Sequence, residues 1–516
     1  MSQSTHSLLT YNNSPSRGGV EPDPTSRCPG LSVTYPRVQC RWIAPLISTL
    51  PLTLFNVAPA AELTELPGLT ANETSMANAI DIVCPQLVQR VPQLNASQLQ
   101  LQQTCTSMKQ NGNALLGNGV TRFSFGLNDQ QLTDALGQLS DEKNNTTNTA
   151  ATKADSGQAI LGNRLAALRA GAGGFTVSGF GFGGNGQVLD LAALSSEGAD
   201  KARERGGAAG DPGFVPRFGG FINGIFSWGE IDQTANRTGY DFDTAGVTAG
   251  LDYRLTDNAI LGAAFNYSNQ TADLNQGVLL AGGDVDADVF SGSIFGTYYV
   301  GDFYIDGIGT FSGADYTIKR EIIIPSSNPN ADPVSAVATG EPGANGYAFS
   351  FGGGYDGQYQ KWSYSPFLRV DYRDLEMDGY TESGAEGLNL KVEGQDVSSL
   401  IFALGGQVAY AISAPFGVIV PRFRAEYNHE FEDDVVLLRA QYFAPIDPSN
   451  NLTATGLTNP VFEARTDEPD RDFAVIGGGI SAVFQRNVQA FVDFESVVGR
   501  SKVTNNILTT GVRVEF

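Results

Sequence analysis

The chain of 516 residues carries 61 Gly, 30 Phe and 18 Tyr against only 32 Lys+Arg, and its formal charge is −23. A chain so negative has no surplus of cations to neutralise phosphates, which excludes nucleic acid as a partner. Only two His are present, His6 and His429, so His-based metal sites and His-dependent triads have almost nothing to work with, and no cofactor is expected.

The length suits about two to four domains. The N-terminal stretch reads as export. In "CRWIAPLISTLPLTLFNVAPAAELTEL", Arg41 precedes an apolar run from Trp42 to Val57, followed by Ala58-Pro59-Ala60-Ala61. That is a charged segment, an apolar segment and a small-residue cleavage site. Two prolines inside the run argue against a buried helix. Met1 to Tyr35 is too polar and long for a leader, so residues 1–61 are read as a signal peptide with an over-extended start. Cleavage after Ala60 or Ala61 leaves Cys84 and Cys105, an even pair that reads as a disulfide in an exported protein.

Residues 62–145 are rich in Gln, Asn, Ala and Leu. Met76, Ile80, Val83 and Leu87 share one helical stripe. A second helix starts at an N-cap at Asn95 or Ser97 and is expected to end at Gly112; a third spans "NDQQLTDALGQLS". The disulfide would clamp the first two into a hairpin. Residues 146–217 read as a linker with a helical second half bearing Arg164 and Arg169, then a Gly-rich stretch. There Gly179, Gly181 and Gly184 formally satisfy GxGxxG, but no βαβ unit surrounds them, so dinucleotide binding is rejected in favour of a flexible or strand-like linker.

From Phe218 period-two alternation takes over. "TAGVTAGLDYRL" sets Ala245, Val247, Ala249, Leu251, Tyr253 and Leu255 against Thr244, Thr248, Asp252 and Arg254. Twelve such segments follow, at about 218–231, 240–255, 259–274, 285–301, 303–322, 344–361, 363–382, 397–413, 418–431, 472–486, 487–500 and 505–516, each long enough to cross a bilayer at a tilt. Tight connections ("TDN", "GD", "SAPFG", "RN") alternate with longer ones, notably 323–343, 383–396 and 432–471. That sorting marks an outer-membrane barrel, and an even count puts both barrel ends on the short-turn rim. The chain stops inside the strand "NNILTTGVRVEF". A closed barrel must pair its last strand with its first, so Val512, Val514 and Phe516 are assigned to closure, with Phe516 in an aromatic girdle. The expected fold is an all-β transmembrane barrel of twelve antiparallel strands, preceded by a small α-helical module and a lumen or linker helix.

The stretches "FINGIFSWGEID", "YDFDTAGVTAGLDYRLTDNAILGAAFNYS", "PRFRAEYNHEFEDD", "AFVDFESVVGR" and "TTGVRVEF" resemble the autotransporter β-domain of type V secretion. The resemblance covers nearly all of 218–516. It implies an outer-membrane location and insertion by the barrel-assembly machinery, which would read the terminal strand ending at Phe516. It also implies a monomeric barrel facing lipid and lipopolysaccharide, and a helix near 155–171 inside the lumen. The departure is at the front, where a short helical segment replaces the usual passenger of several hundred residues. "NN" at 144–145 matches self-releasing linkers in dipeptide only.

The inward parity collects Arg254, Arg369, Arg373, Arg422 and Arg424 with Asp252, Asp371, Glu426, Asp493 and Glu495. These charges either pair around an enclosed segment or line a wet lumen. No GxSxG precedes the barrel and the module has no His, which counts against a surface esterase. His429 is expected on the lipid-facing side near the outer rim, as a girdle residue rather than a metal ligand. "TDEPDRD" reads as a solvated loop before a calcium site. Two roles remain open: a translocator and anchor presenting a short surface module, or a pore-like barrel with a periplasmic module.

Overall fold

The computed structural model describes residues 62–140, 161–162, 165, 174–181, 217–432, 435–484 and 488–514. The leader, the Asn-Asn pair at 144–145, Arg164, Arg169, Gly184, the "RN" turn and Phe516 lie outside the described residues.

Twelve antiparallel strands close a barrel. They are β1 Phe218–Ile231, β2 Tyr240–Thr256, β3 Ala259–Leu274, β4 Gly283–Val300, β5 Phe303–Ile324, β6 Gly343–Tyr355, β7 Trp362–Met377, β8 Gln395–Tyr410, β9 Gly417–Glu430, β10 Asp472–Phe484, β11 Val488–Val498 and β12 Val503–Val514. Each pairs with its sequence neighbour, and β12 pairs back to β1. In β2 the even positions Thr244, Thr248 and Asp252 are buried while Val247, Leu251 and Leu255 are exposed. The same parity leaves Leu261, Phe265, Ile294, Phe311, Leu368 and Ile480 bare on the outside. So continuous an apolar belt is stable only in lipid. Among the described residues no helix is long and apolar enough to cross a membrane; the strands cross instead.

Aromatic pairs mark both edges of the belt. Near the short turns, Phe218–Tyr253 (5.3 Å), Phe303–Tyr355 (5.0 Å) and Trp362–Tyr410 (4.8 Å) stack. Towards the other rim, Tyr267–Phe290 (5.0 Å) and Tyr347–Tyr372 (6.1 Å) do so. These are the two interfacial girdles of a membrane barrel.

The last strand closes on the first through its N-terminal half. The β1–β12 ladder runs through Trp228↔Asn506, Gly229↔Asn505, Glu230↔Thr504 and Ile231↔Val503. Val512 and Val514 pair with Ala490 and Val488 of β11. Continuing the closing register would set Val512 opposite Ile222, but that part of β1 is occupied. A strand Gly174–Gly181 lies parallel to it, from Gly174↔Gly219 to Gly181↔Ile225. Gly179 and Gly181 of the formal GxGxxG therefore belong to a strand.

Among the described residues, three α-helices lie between residues 62 and 140: α1 Ala71–Val88, α2 Ala96–Leu116 and α3 Asp129–Leu139. Each starts at a reciprocal capping box, Thr70 with Glu73, Asn95 with Gln98 and Asn128 with Gln131. The stripe Met76, Ile80, Val83 and Leu87 is buried. α2 does not stop at Gly112; it continues to Leu116 and ends where Gly117 takes φ 71°. Gly112 instead allows close packing, since a Cβ there would lie 2.8 Å from Leu63 Cδ2. Cys84 of α1 and Cys105 of α2 are joined with Cα atoms 5.8 Å apart.

The long connections are themselves structured. β5 continues upward and pairs with Val334–Gly340. Loops 378–394 and 431–471 together build a separate four-stranded sheet, in the order Tyr380–Thr381, Leu390–Val392, Leu437–Tyr442, Phe462–Arg465. The helices sit on this sheet and on the upper inner faces of the strands. One apolar core runs from Met76, Ile80, Leu101 and Leu136 into Phe242, Ile318, Ile322, Met377, Leu438 and Phe462. The helical module is thus a lid over the long-loop rim.

Candidate functional site

The inner wall has three levels. At the long-loop rim it is apolar and filled by the lid. In the middle it is polar, with Thr248, Asn266, Gln270, Asp371, Glu426 and Asn428 buried and inward. Near the short turns a second apolar cluster joins Leu161 and Leu165 to Phe221, Ile260, Phe295 and Ile308. Leu161, Gly162 and Leu165 are helical, so an i, i+4 pair docks on inward-facing residues. Ser140 thus lies in the lid, Leu161 inside the barrel and Gly174 at the short-turn rim.

The inward charges gather on one half of the wall. Arg369 of β7 pairs with Asp371 (2.7 Å) and, across β8, with Glu426 of β9 (3.1 Å). Arg424 pairs with Glu426 and stands 4.0 Å from Glu495 of β11. Arg422 pairs with Asp493 of β11. Reaching across a whole strand requires small residues on it. Gly405 of β8 sits between Phe367 and Glu426, and Gly477 and Gly479 of β10 sit between Arg424 and Glu495 and between Arg422 and Asp493. A Cβ on Gly477 would lie 2.6 Å from Glu495 Cγ. Buried guanidinium–carboxylate pairs of this kind need mutual neutralisation to sit inside a wall. Arg254 is elsewhere, near the short turns, donating to the Tyr299 hydroxyl and to the Asp257 carbonyl (3.5 Å). Arg373 lies higher on β7, opposite Ala348 and Ser399.

The lid interface is built from buried amides that no sequence pattern singled out. Asn72 of α1 accepts from Arg465 N–H (2.8 Å) and donates to the Arg465 carbonyl (3.1 Å), acting as a missing strand along that edge. Ser75 Oγ accepts from Glu463 N–H at 2.9 Å. Gln98 of α2 donates to the carbonyls of Ala444 (3.0 Å) and Asn450 (2.7 Å). Gln138 of α3 accepts from Ile323 N–H of β5 (2.8 Å).

At the centre of this interface Arg320 of β5 and Glu382 of loop 378–394 pair with side chains 1% and 2% exposed. Arg320 also donates to the carbonyls of Gln138 (2.8 Å) and Leu388 (3.1 Å), and Glu382 accepts from Leu390 N–H (2.7 Å). One guanidinium thus ties strand, loop and the C-terminus of α3 together, where helix carbonyls favour a cation. The signal was available: in Tyr316, Ile318, Arg320, Ile322, Ile324 the inward parity is broken by one Arg. Burial pushes the nearby Tyr442 hydroxyl well above the ordinary phenol range, and it lies 3.4 Å from Met76 Sδ, the mark of a dry interface.

The remaining candidates take plain places. His429 is outward near the long-loop rim, with Nδ1 2.7 Å from Asp472 and its ring edge-on to Phe431 at 4.8 Å. In "TDEPDRD", Asp467 accepts from Thr234 (2.7 Å) and Asn236 (3.0 Å), and Asp470 accepts from Ser501 N–H (2.8 Å). These carboxylates tie loops to one another. Among the described residues no cluster of three or more His, Cys, Asp or Glu could hold a metal.

A family model described as the autotransporter beta-domain matches residues 220–495, more than half of the chain. The chain belongs to the autotransporter β-domain family. Esterase EstA of Pseudomonas aeruginosa is 28% identical over 254 residues, covering 47% of this chain and 36% of the esterase. Outer membrane protein A of Rickettsia rickettsii is 22% identical over 312 residues, covering 60% of this chain and 13% of that protein. The chain thus spans well under half the length of these curated relatives. Among solved structures, the translocator domain of NalP from Neisseria meningitidis aligns with a TM-score of 0.42 at 14% identity, over 59% of this chain and 90% of that one. The transport unit of AIDA-I from Escherichia coli aligns with a TM-score of 0.39 at 12% identity, over 63% and 99%. As an autotransporter barrel the protein resides in the outer membrane, where short turns face the periplasm and long loops the outside.

Proposed function

We propose that this protein is a self-displaying outer-membrane autotransporter whose short N-terminal module stays on the surface as a lid on its own barrel. The barrel anchors the chain, and its lumen is the route by which residues 62–140 reach the outside. The observation that carries this reading is the path of the chain, from helices docked on the long-loop rim to Leu161 and Leu165 against inward residues near the short turns. The disulfide Cys84–Cys105 keeps α1 and α2 as a hairpin, and the paired inward charges from Arg369 to Asp493 let the wall stay polar around the enclosed segment. The same reading has the barrel-assembly machinery insert a monomeric barrel that faces lipid and lipopolysaccharide. It assigns the chain no catalysis: the esterase relative is matched over only 36% of its length.

The test is protease shaving of intact cells carrying a tag after Ala61. Loss of the tag with persistence of the barrel supports display; survival of the tag until the outer membrane is permeabilised rejects it. A pore-like role draws on the buried polar residues Thr248 and Asn266 of the inner wall, but the lid core over the mouth weighs against an open channel.

A further inference from the structure

The lid and the loops beneath it have no separate cores. The sheet made by loops 378–394 and 431–471 has strands of two, three, six and four residues, too little to be stable alone. Its buried side chains Leu390, Leu438 and Phe462 belong to the same apolar cluster as Met76, Ile80 and Leu101 of the helices. The edge of strand Phe462–Arg465 is completed by Asn72 and Ser75 of α1. Gly387 of loop 378–394 lies so close to α2 that a Cβ would meet the Ser97 carbonyl and stand 2.7 Å from Leu101 N, and its N–H donates to Gln100 at 2.8 Å. The three helices share their apolar core with the barrel's loops and with the upper ends of its strands.

We infer that residues 62–140, 378–394 and 431–471 form one discontinuous surface domain that acquires its fold only when the exported helices meet the loops. The inference rests on the display reading above. The surface unit is then a composite of segments from before and within the barrel, and loop 431–471 is ordered through the helices as well as through its ties to the other barrel loops.

The experiment uses the full-length protein in outer membranes and the variant Gly387→Val, which wedges α2 off loop 378–394 at Ser97 and Leu101. Hydrogen exchange and trypsin cleavage are read at Lys391, at Arg439 and Arg465, and at Arg90 and Lys109, with heat-dependent gel mobility reporting the barrel. The expected result is a rise on the order of tenfold at all three groups of sites with barrel mobility unchanged. A rise confined to Lys391, with Arg439, Arg465 and the helices still protected, overturns the composite domain while leaving display intact. The variant Asn72→Ala/Ser75→Ala perturbs the opposite side and must likewise loosen Lys391. If Arg90 and Lys109 become cleavable only after permeabilisation, in parent and variant alike, the display reading itself fails and takes this one with it.

Discussion

Replacing Arg320 by Met strips Glu382 of its counter-ion in a site where both side chains are almost fully buried. Met keeps much of the volume, so the loss is electrostatic. Glu382 retains the Leu390 N–H, while the carbonyls of Gln138 and Leu388 each lose a donor. Breaking a buried pair from one side costs about 3–5 kcal/mol, roughly 150- to 4,000-fold in the equilibrium for lid opening. Removing both charges should cost much less. In Arg320→Met/Glu382→Gln the new amide still accepts from Leu390 N–H and no buried charge remains. Native-state hydrogen exchange at Leu390 and Ile323, with trypsin cleavage at Lys391, measures both variants. The reasoning is refuted if the single variant exchanges like the parent, or if the double variant is no more stable than the single one.

Asp81 of α1 pairs with Lys109 at 2.7 Å, yet burial is the largest influence and raises its carboxyl above the ordinary 3.8 despite that pairing. The folded lid therefore holds this proton after the unfolded chain has released it, so the contribution is fully present below about pH 4 and lost as pH rises through the folded value; Asp81→Asn should flatten that slope in denaturant titrations of the lid. Replacing Cys84 and Cys105 by Ser, which opens a loop of sequence separation 21, should loosen the lid by about 3 kcal/mol, read as trypsin sensitivity at Lys109 with barrel mobility unchanged. Arg422→Met leaves Asp493 unpaired on the inner wall and should lower barrel stability by about 1–3 kcal/mol, seen as a lower temperature for the gel-mobility transition. In planar bilayers the parent should conduct little and the Gly387→Val variant more; an equally open parent would favour the pore-like role.

The barrel was legible because a membrane strand declares itself twice, by period-two parity and by loop lengths that sort by rim. β1 and β3 occur where alternation put them, Phe218–Ile231 and Ala259–Leu274. Parity also chose the inward charges, but not which of them meet. Arg422 finds Asp493 only because Gly479 intervenes, and glycine carries no sign of the contact it permits. The lid was read as three helices and a cysteine pair, with its docking invisible. Asn72 bonds Arg465 at a separation of 393 residues, and a buried Asn looks in sequence like any exposed one. The strand Gly174–Gly181 on the edge of β1 was not legible, because a Gly-rich segment has little side-chain pattern to announce a strand.

The central claim is that one chain spans from a lid outside to a short-turn rim inside. The most direct test is labelling of intact cells with a membrane-impermeant maleimide, using single cysteines at two exposed positions, Gln130→Cys on α3 and Asp257→Cys in the turn between β2 and β3. The account predicts that Gln130→Cys is labelled on intact cells, whereas Asp257→Cys is labelled only after the outer membrane is permeabilised. Labelling of both only after permeabilisation would put the lid in the periplasm and contradict it.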